Sequence, residues 1–171
     1  MMHGSTLVIA AKDDREVTMT RRFEASPALV FEAFTTPALL KRWMLGPCGT
    51  IPSCEVDFRE GGAYRTVWID PEIGRTTACG VYREIDAPHR FVATERFEPA
   101  WYPGEAVITI TFVPDDGGTK MTTTMRYEST QGRDQVLQAL MADGVTQSYD
   151  RLATLLEETK AAEVAPRRRR A

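Results

Sequence analysis

A chain of 171 residues fits one domain and can bury roughly 70% of its unfolded surface, enough for a real core. Hydrophobic content of 43% and charged content of 26% are ordinary for a soluble globular protein. A formal net charge of -3 argues against a general nucleic-acid binder, and no apolar run approaches the ~20 residues that span a bilayer.

Met1 to Ser5 reads as a loose terminus. Leu7 to Ala11 is apolar but too short for a signal-peptide core, and no basic region precedes it, so a cytoplasmic protein is expected. Thr6–Ala11 and Glu16–Glu24 are strand-like, split by the turn-prone Lys12, Asp13 and Asp14. In the second, Val17, Met19 and Arg21 share one face.

Ser26-Pro27 reads as an N-cap followed by proline at the first helical position, and Thr36-Pro37 repeats the signal. Two short helices are expected, the first stopping near Thr35 and the second near Trp43. Met44 to Ser53, with Gly46, Pro47, Gly49 and Pro52, reads as a loop.

From Cys54 the chain looks like an antiparallel meander. Strands are expected at Cys54–Arg59, Ala63–Ile69, Arg75–Ile85, Arg90–Phe97, Glu105–Val113 and Thr119–Tyr127, divided by Gly, Pro and Asp turn signals. A sheet this long tends to curl. Ala106, Ile108, Ile110 and Phe112 form one inward set, and Met121, Thr123, Met125 and Tyr127 another. Tyr64 and Trp68 are placed inside against Arg65. Gly80 and Tyr82 stay ambiguous against Val81 and Arg83.

In Arg90–Phe97 the apolar set Phe91, Ala93 and Phe97 contains Glu95. Two readings stand. Either a carboxyl sits in the concave face, where burial raises its pKa, or it pairs with an arginine at the rim.

The one long helical pattern runs from Arg133 to Glu158. Leu137, Leu140, Met141, Val145, Leu152, Leu155 and Leu156 recur at spacings of three and four. Gly144 and Ser148 interrupt this stripe near its centre. Glycine in a helix interior costs roughly 1 kcal/mol against alanine. Either another backbone comes close there, or the helix faces a space meant for something else. The order of elements gives an α+β fold, with the long helix plugging a curved antiparallel sheet.

Cys48, Cys54 and Cys79 are an odd set without CxxC spacing, and read as free thiols in a reducing compartment. His3 and His89 make no HExxH pattern. No metal, nucleotide or other cofactor is expected. Residues 161–171, with Arg167 to Arg170, read as a disordered basic tail beyond a single domain over 1–160.

Between Val17 and Glu158 the residues resemble the START/Bet v-like helix-grip superfamily, also called SRPBCC. Within it they are similar to the domain related to the C-terminal part of the activator of heat-shock protein 90 ATPase. The resemblance is carried by Arg22-Phe23-Glu24-Ala25-Ser26-Pro27 leading into Val30-Phe31, then Lys41-Arg42-Trp43 and Gly46-Pro47. It continues through Cys54-Glu55-Val56-Asp57-Phe58-Arg59 before Gly61-Gly62, Gly80-Val81-Tyr82 and Thr94-Glu95-Arg96-Phe97. Gly144 and Leu152 to Leu156 match the closing helix.

The resemblance implies a cavity between sheet and helix that takes apolar or amphipathic small molecules. It favours the open-space reading of Gly144 and Ser148. Relatives often place two aromatic residues where this chain has Trp43-Met44, so the guest is expected to differ. The candidate ligand site takes in Trp43 and Met44 at the mouth. Tyr64, Trp68, Glu95, Ile110, Phe112, Met125 and Tyr127 come from the sheet. Met141, Gly144, Ser148 and Tyr149 come from the helix.

A hydrophobic small molecule is the expected partner. The alternatives are an enzyme of cyclase or hydrolase type, with Glu95 as an acid or base, and a co-chaperone-like partner of a chaperone. The last is weakened because the N-terminal domain of the full chaperone activators is not matched. Monomer and dimer both stay open.

Overall fold

The computed structural model describes residues 6–45, 49–141 and 144–164. Eight strands form one antiparallel sheet in the order β1-β2-β8-β7-β6-β5-β4-β3. They are β1 (Val8–Ala11), β2 (Glu16–Phe23), β3 (Thr50–Val56) and β4 (Ala63–Asp70), then β5 (Gly74–Asp86), β6 (Arg90–Glu98), β7 (Ala106–Asp115) and β8 (Gly118–Arg126). The meander runs from β3 to β8, and β8 then pairs with β2. Helices α1 (Pro27–Thr35) and α2 (Pro37–Trp43) separate β2 from β3, and α3 (Thr130–Met141) and α4 (Gly144–Val164) follow the sheet. This is the expected α+β helix-grip arrangement.

Alternation places the core on one face of the sheet. In β2, β7 and β8 every second residue is buried, as a sheet covered on one side requires. Cross-strand register lines these residues up in rows. Met19, Thr123, Ile110 and Phe91 make one row, and Val17, Met125, Ile108 and Ala93 the next.

The short helices start where proline fixes the backbone. The Ser26 hydroxyl accepts from the Leu29 amide at 3.4 Å and caps α1. Thr36 was expected to cap α2 in the same way, but its side chain makes no cap bond. Its amide instead donates to the Glu32 carbonyl, closing α1, and its own carbonyl accepts from Leu39 and Leu40. One backbone unit thus serves both helices. The Trp43 indole N–H donates to the Ala33 carbonyl at 2.9 Å and holds α2 against α1.

Element boundaries differ from the sequence expectation in places. The strand expected from Cys54 runs from Thr50, through Pro52. Proline is tolerated because β3 is an edge strand, and the register is irregular between Thr50 and Ser53. The helical pattern expected over Arg133–Glu158 is described on both sides of residues 142–143, as α3 and α4, and those two residues lie outside the described residues. Helix α4 continues to Val164, past the expected start of the tail, and residues 165–171 lie outside the described residues.

The helices are fixed by side chains from both ends of the chain. Helix α3 packs on β1 and β2, and α4 packs on α1 and α2. Leu152, Leu155 and Leu156 of α4 are buried. Tyr149 stacks on Phe23 with ring centroids 6.3 Å apart. Beside it the buried Arg21 donates to Asp150 at 2.7 Å and lies over the Phe23 ring. The aromatic side chains Phe31, Phe34, Phe91 and Phe112 meet edge-on beneath α1.

Candidate functional site: a cavity between sheet and helices

Helices and sheet leave a cavity of about 310 Å³ between them. Its floor is the inner face of β2 to β8, and its roof is built from all four helices. Trp43 and Met44 line it where α2 ends, and the Trp68 indole donates to the Met44 carbonyl at 3.2 Å. That bond ties the α2 end to β4.

Tyr64, Trp68, Glu95, Ile110, Met125 and Tyr127 line the floor, and Ser148 and Tyr149 line the roof. Two other candidates stand elsewhere. Phe112 is fully buried one row away, packed on Phe31 and Phe34 beside Met121. Met141 is 68% exposed. Val136 and Leu140 set the inward face of α3, and the next position is turned ~100° from Leu140. The surroundings of Gly144, the first described residue of α4, lie outside the described residues.

The structure adds lining residues that were not singled out. Phe91, Ala93 and Phe97 flank Glu95 on β6, and Tyr82 faces inward from β5. Their signal was present, since the alternation of β6 puts them on one face with Glu95. Trp101 and Tyr102 stand on the loop between β6 and β7, where no periodicity orients a side chain. Trp101 lines the cavity while remaining 39% exposed, so it marks where the cavity meets solvent.

Glu95 is the one acidic or basic side chain among the lining residues. The Tyr102 hydroxyl lies 3.3 Å from its carbonyl oxygen and 3.5 Å from Oε1. Burial pushes the Glu95 carboxyl up to about 7, and the Tyr102 hydroxyl opposes the shift by favouring the charged form. The rim ion pair considered for Glu95 is not formed among the described residues. The neighbouring Arg96 and Arg83 pair with Glu98 at 3.8 Å and Glu105 at 3.6 Å.

The sheet is locally altered beside this carboxyl. Between the Cys79–Arg96 and Tyr82–Ala93 pairs, the Val81 amide donates to the Thr94 hydroxyl at 3.1 Å. The Tyr64 hydroxyl donates to the Thr94 carbonyl at 2.7 Å. A side chain at Gly80 would put a Cβ 1.8 Å from that same carbonyl oxygen, so only glycine fits there. The Tyr64 hydroxyl is therefore held by backbone. Burial, then the charge of Glu95, pushes it far above the usual tyrosine range.

Other residues of the cavity carry hydroxyls with weak or missing partners among the described residues. The Tyr127 hydroxyl reaches only the Met125 sulfur, at 3.4 Å, a poor acceptor. Burial pushes the Tyr149 hydroxyl up to about 12, with nearby Thr123 favouring its ionised form slightly. Yet the buried Thr123 Oγ1 makes no hydrogen bond of ordinary geometry among the described residues. The cavity thus combines apolar walls, one carboxyl and a few underused hydroxyls, the usual make-up of a small-molecule site. Among the described residues no three His, Cys, Asp or Glu side chains gather at metal-ligand spacing.

Solved structures share this architecture. A Rhodobacter sphaeroides protein superposes with a TM-score of 0.82 at 27% identity, covering 89% of this chain and 99% of that one. A Chromobacterium violaceum protein gives 0.73 at 27% identity, covering 85% of this chain and 99% of that one. The AHSA1 protein from Silicibacter pomeroyi gives 0.70 at 20% identity, covering 84% and 99%, a likeness of fold. No curated protein matches the chain. The model of the family described as Activator of Hsp90 ATPase homolog 1-like protein matches residues 24–157, most of the chain, and the chain belongs to that family, within the SRPBCC helix-grip fold.

Proposed function

We propose that the chain is a small-molecule-binding protein that holds an apolar or amphipathic ligand between its sheet and its C-terminal helices. The observation that carries this reading is the cavity itself. At about 310 Å³ it lies at the small end of ligand-site volumes. Its walls are mostly aromatic and aliphatic, and Trp101 provides a route to solvent. Filling it with a ligand removes apolar surface from water and gives the Thr123 hydroxyl a partner.

A second reading is an enzyme acting on a hydrophobic substrate. It is favoured by Glu95 alone, since a carboxyl at about 7 is suited to both giving and taking a proton near neutrality. Native mass spectrometry of protein purified from its own host tests both. A retained small molecule of unchanged mass supports binding, whereas its conversion on incubation supports catalysis. A protein that retains nothing, and takes up no apolar compound when offered a panel, contradicts both.

A further inference from the structure

The cavity holds a carboxyl and, among its lining residues, no arginine, lysine or histidine. A buried carboxylate without a cation is costly. It can stay protonated, or a guest can bring the cation. Burial favours the acid, and one contact favours the anion that such a guest would pair with. The Tyr102 hydroxyl lies 3.3 Å from the Glu95 carbonyl oxygen and 3.5 Å from Oε1, and the share of its donor that reaches Oε1 stabilises the anion.

Phe97, Trp101 and Tyr127 line the cavity with Glu95, and Tyr102 packs against all three rings. Phe97 meets Trp101 and Tyr102 edge-on at 5.4 and 5.8 Å between centroids, and Tyr102 meets Tyr127 at 5.1 Å. Ring faces beside a carboxylate attract organic cations by the quadrupole of the ring. Trp101 brings this cluster to solvent, so a charged head has a path in.

We propose that the ligand is an apolar molecule bearing a basic nitrogen, whose ammonium group pairs with the Glu95 carboxylate among the rings of Phe97, Trp101 and Tyr102. This rests on the cavity being a ligand site. The remaining titratable groups that face Glu95 are Tyr64 on β4, Tyr102 on the β6–β7 loop, Tyr127 after β8 and Tyr149 on α4. Burial raises all four, so none titrates near neutrality, and the charge of Glu95 governs the pH dependence. Ammonium binding strengthens as pH rises through the Glu95 titration, with one proton released per ligand bound where Glu95 is protonated beforehand.

The test is calorimetric binding of two near-isosteres, 4-phenylbutylamine and 4-phenyl-1-butanol, to the wild-type chain and to Glu95→Gln. At pH 8 the amine should bind at least tenfold tighter than the alcohol. That advantage should shrink to threefold or less at pH 5.5 in the wild type, and at every pH in Glu95→Gln. The wild-type pH profile stands alone if the variant does not fold. An alcohol that binds as tightly as the amine at pH 8 overturns the inference but leaves the cavity as a ligand site. An amine preference that survives in folded Glu95→Gln also overturns it. Failure of both compounds to bind overturns it together with the proposal on which it rests.

Discussion

The Tyr102 hydroxyl stands 3.5 Å from Glu95 Oε1, joining a loop residue without sequence periodicity to the carboxyl on β6. This contact works against the burial that raises the carboxyl. In Tyr102→Phe the charged form loses a donor, so the Glu95 pKa should rise by roughly one pH unit. A carbon-13 titration of the Glu95 side chain measures this directly. An unchanged midpoint would mean that the hydroxyl does not act on the carboxyl.

Glu95 also makes stability depend on pH. Its folded value of about 7 lies above the ordinary 4.5, so the folded state binds the proton more tightly than the unfolded chain. The stabilisation is full below about pH 4.5 and is lost as pH rises to about 7. The difference is on the order of 3 kcal/mol. Glu95→Gln should therefore gain stability over the wild type between pH 5 and pH 8, read from urea unfolding at the two values. A pH-independent difference would place the carboxyl in water.

The Arg21–Asp150 pair joins β2 to α4 with one partner buried and one in water. The side chains are 5% and 62% exposed. Asp150→Ala leaves a buried guanidinium unpaired and should cost about 2 kcal/mol, less than a fully buried pair because solvent screens Asp150. Adding Arg21→Met should restore most of that loss. Urea unfolding of the two single variants and the double variant closes the cycle, and additive losses would show that the pair does not couple.

Thr123 faces the cavity with its Oγ1 buried and, among the described residues, without a hydrogen bond of ordinary geometry. Thr123→Val keeps the shape and removes an unsatisfied group, so stability should rise by about 1 kcal/mol. Thermal unfolding checks this. A loss of similar size would show that the hydroxyl is bonded in the folded protein.

These residues also show where the sequence speaks and where it is silent. Alternation alone placed Ile108, Ile110, Thr123 and Met125 on the inner face, because a half-covered sheet allows only one phase. It placed Glu95 there too, but could not choose between cavity and rim, since alternation does not show whether a cation from another element reaches an inward carboxyl. Phe112 shares its strand face with Ile110, yet α1 fills the space above it. Periodicity gives the face and not what covers it. Trp101 and Tyr102 lie in a loop, where burial depends on contacts distant in sequence.

The most direct measurement is the fluorescence titration of the neutral apolar dye N-phenyl-1-naphthylamine with wild type and Ser148→Leu. Ser148 lines the cavity from α4 and is only half-buried, so leucine can enter the space without displacing core side chains. Saturable dye binding is expected in the wild type. The affinity should fall about tenfold in Ser148→Leu, the equivalent of roughly 1.4 kcal/mol, with an unchanged circular dichroism spectrum. Equal affinities in the two folded proteins, or no saturable binding to either, would contradict a ligand cavity between sheet and helices.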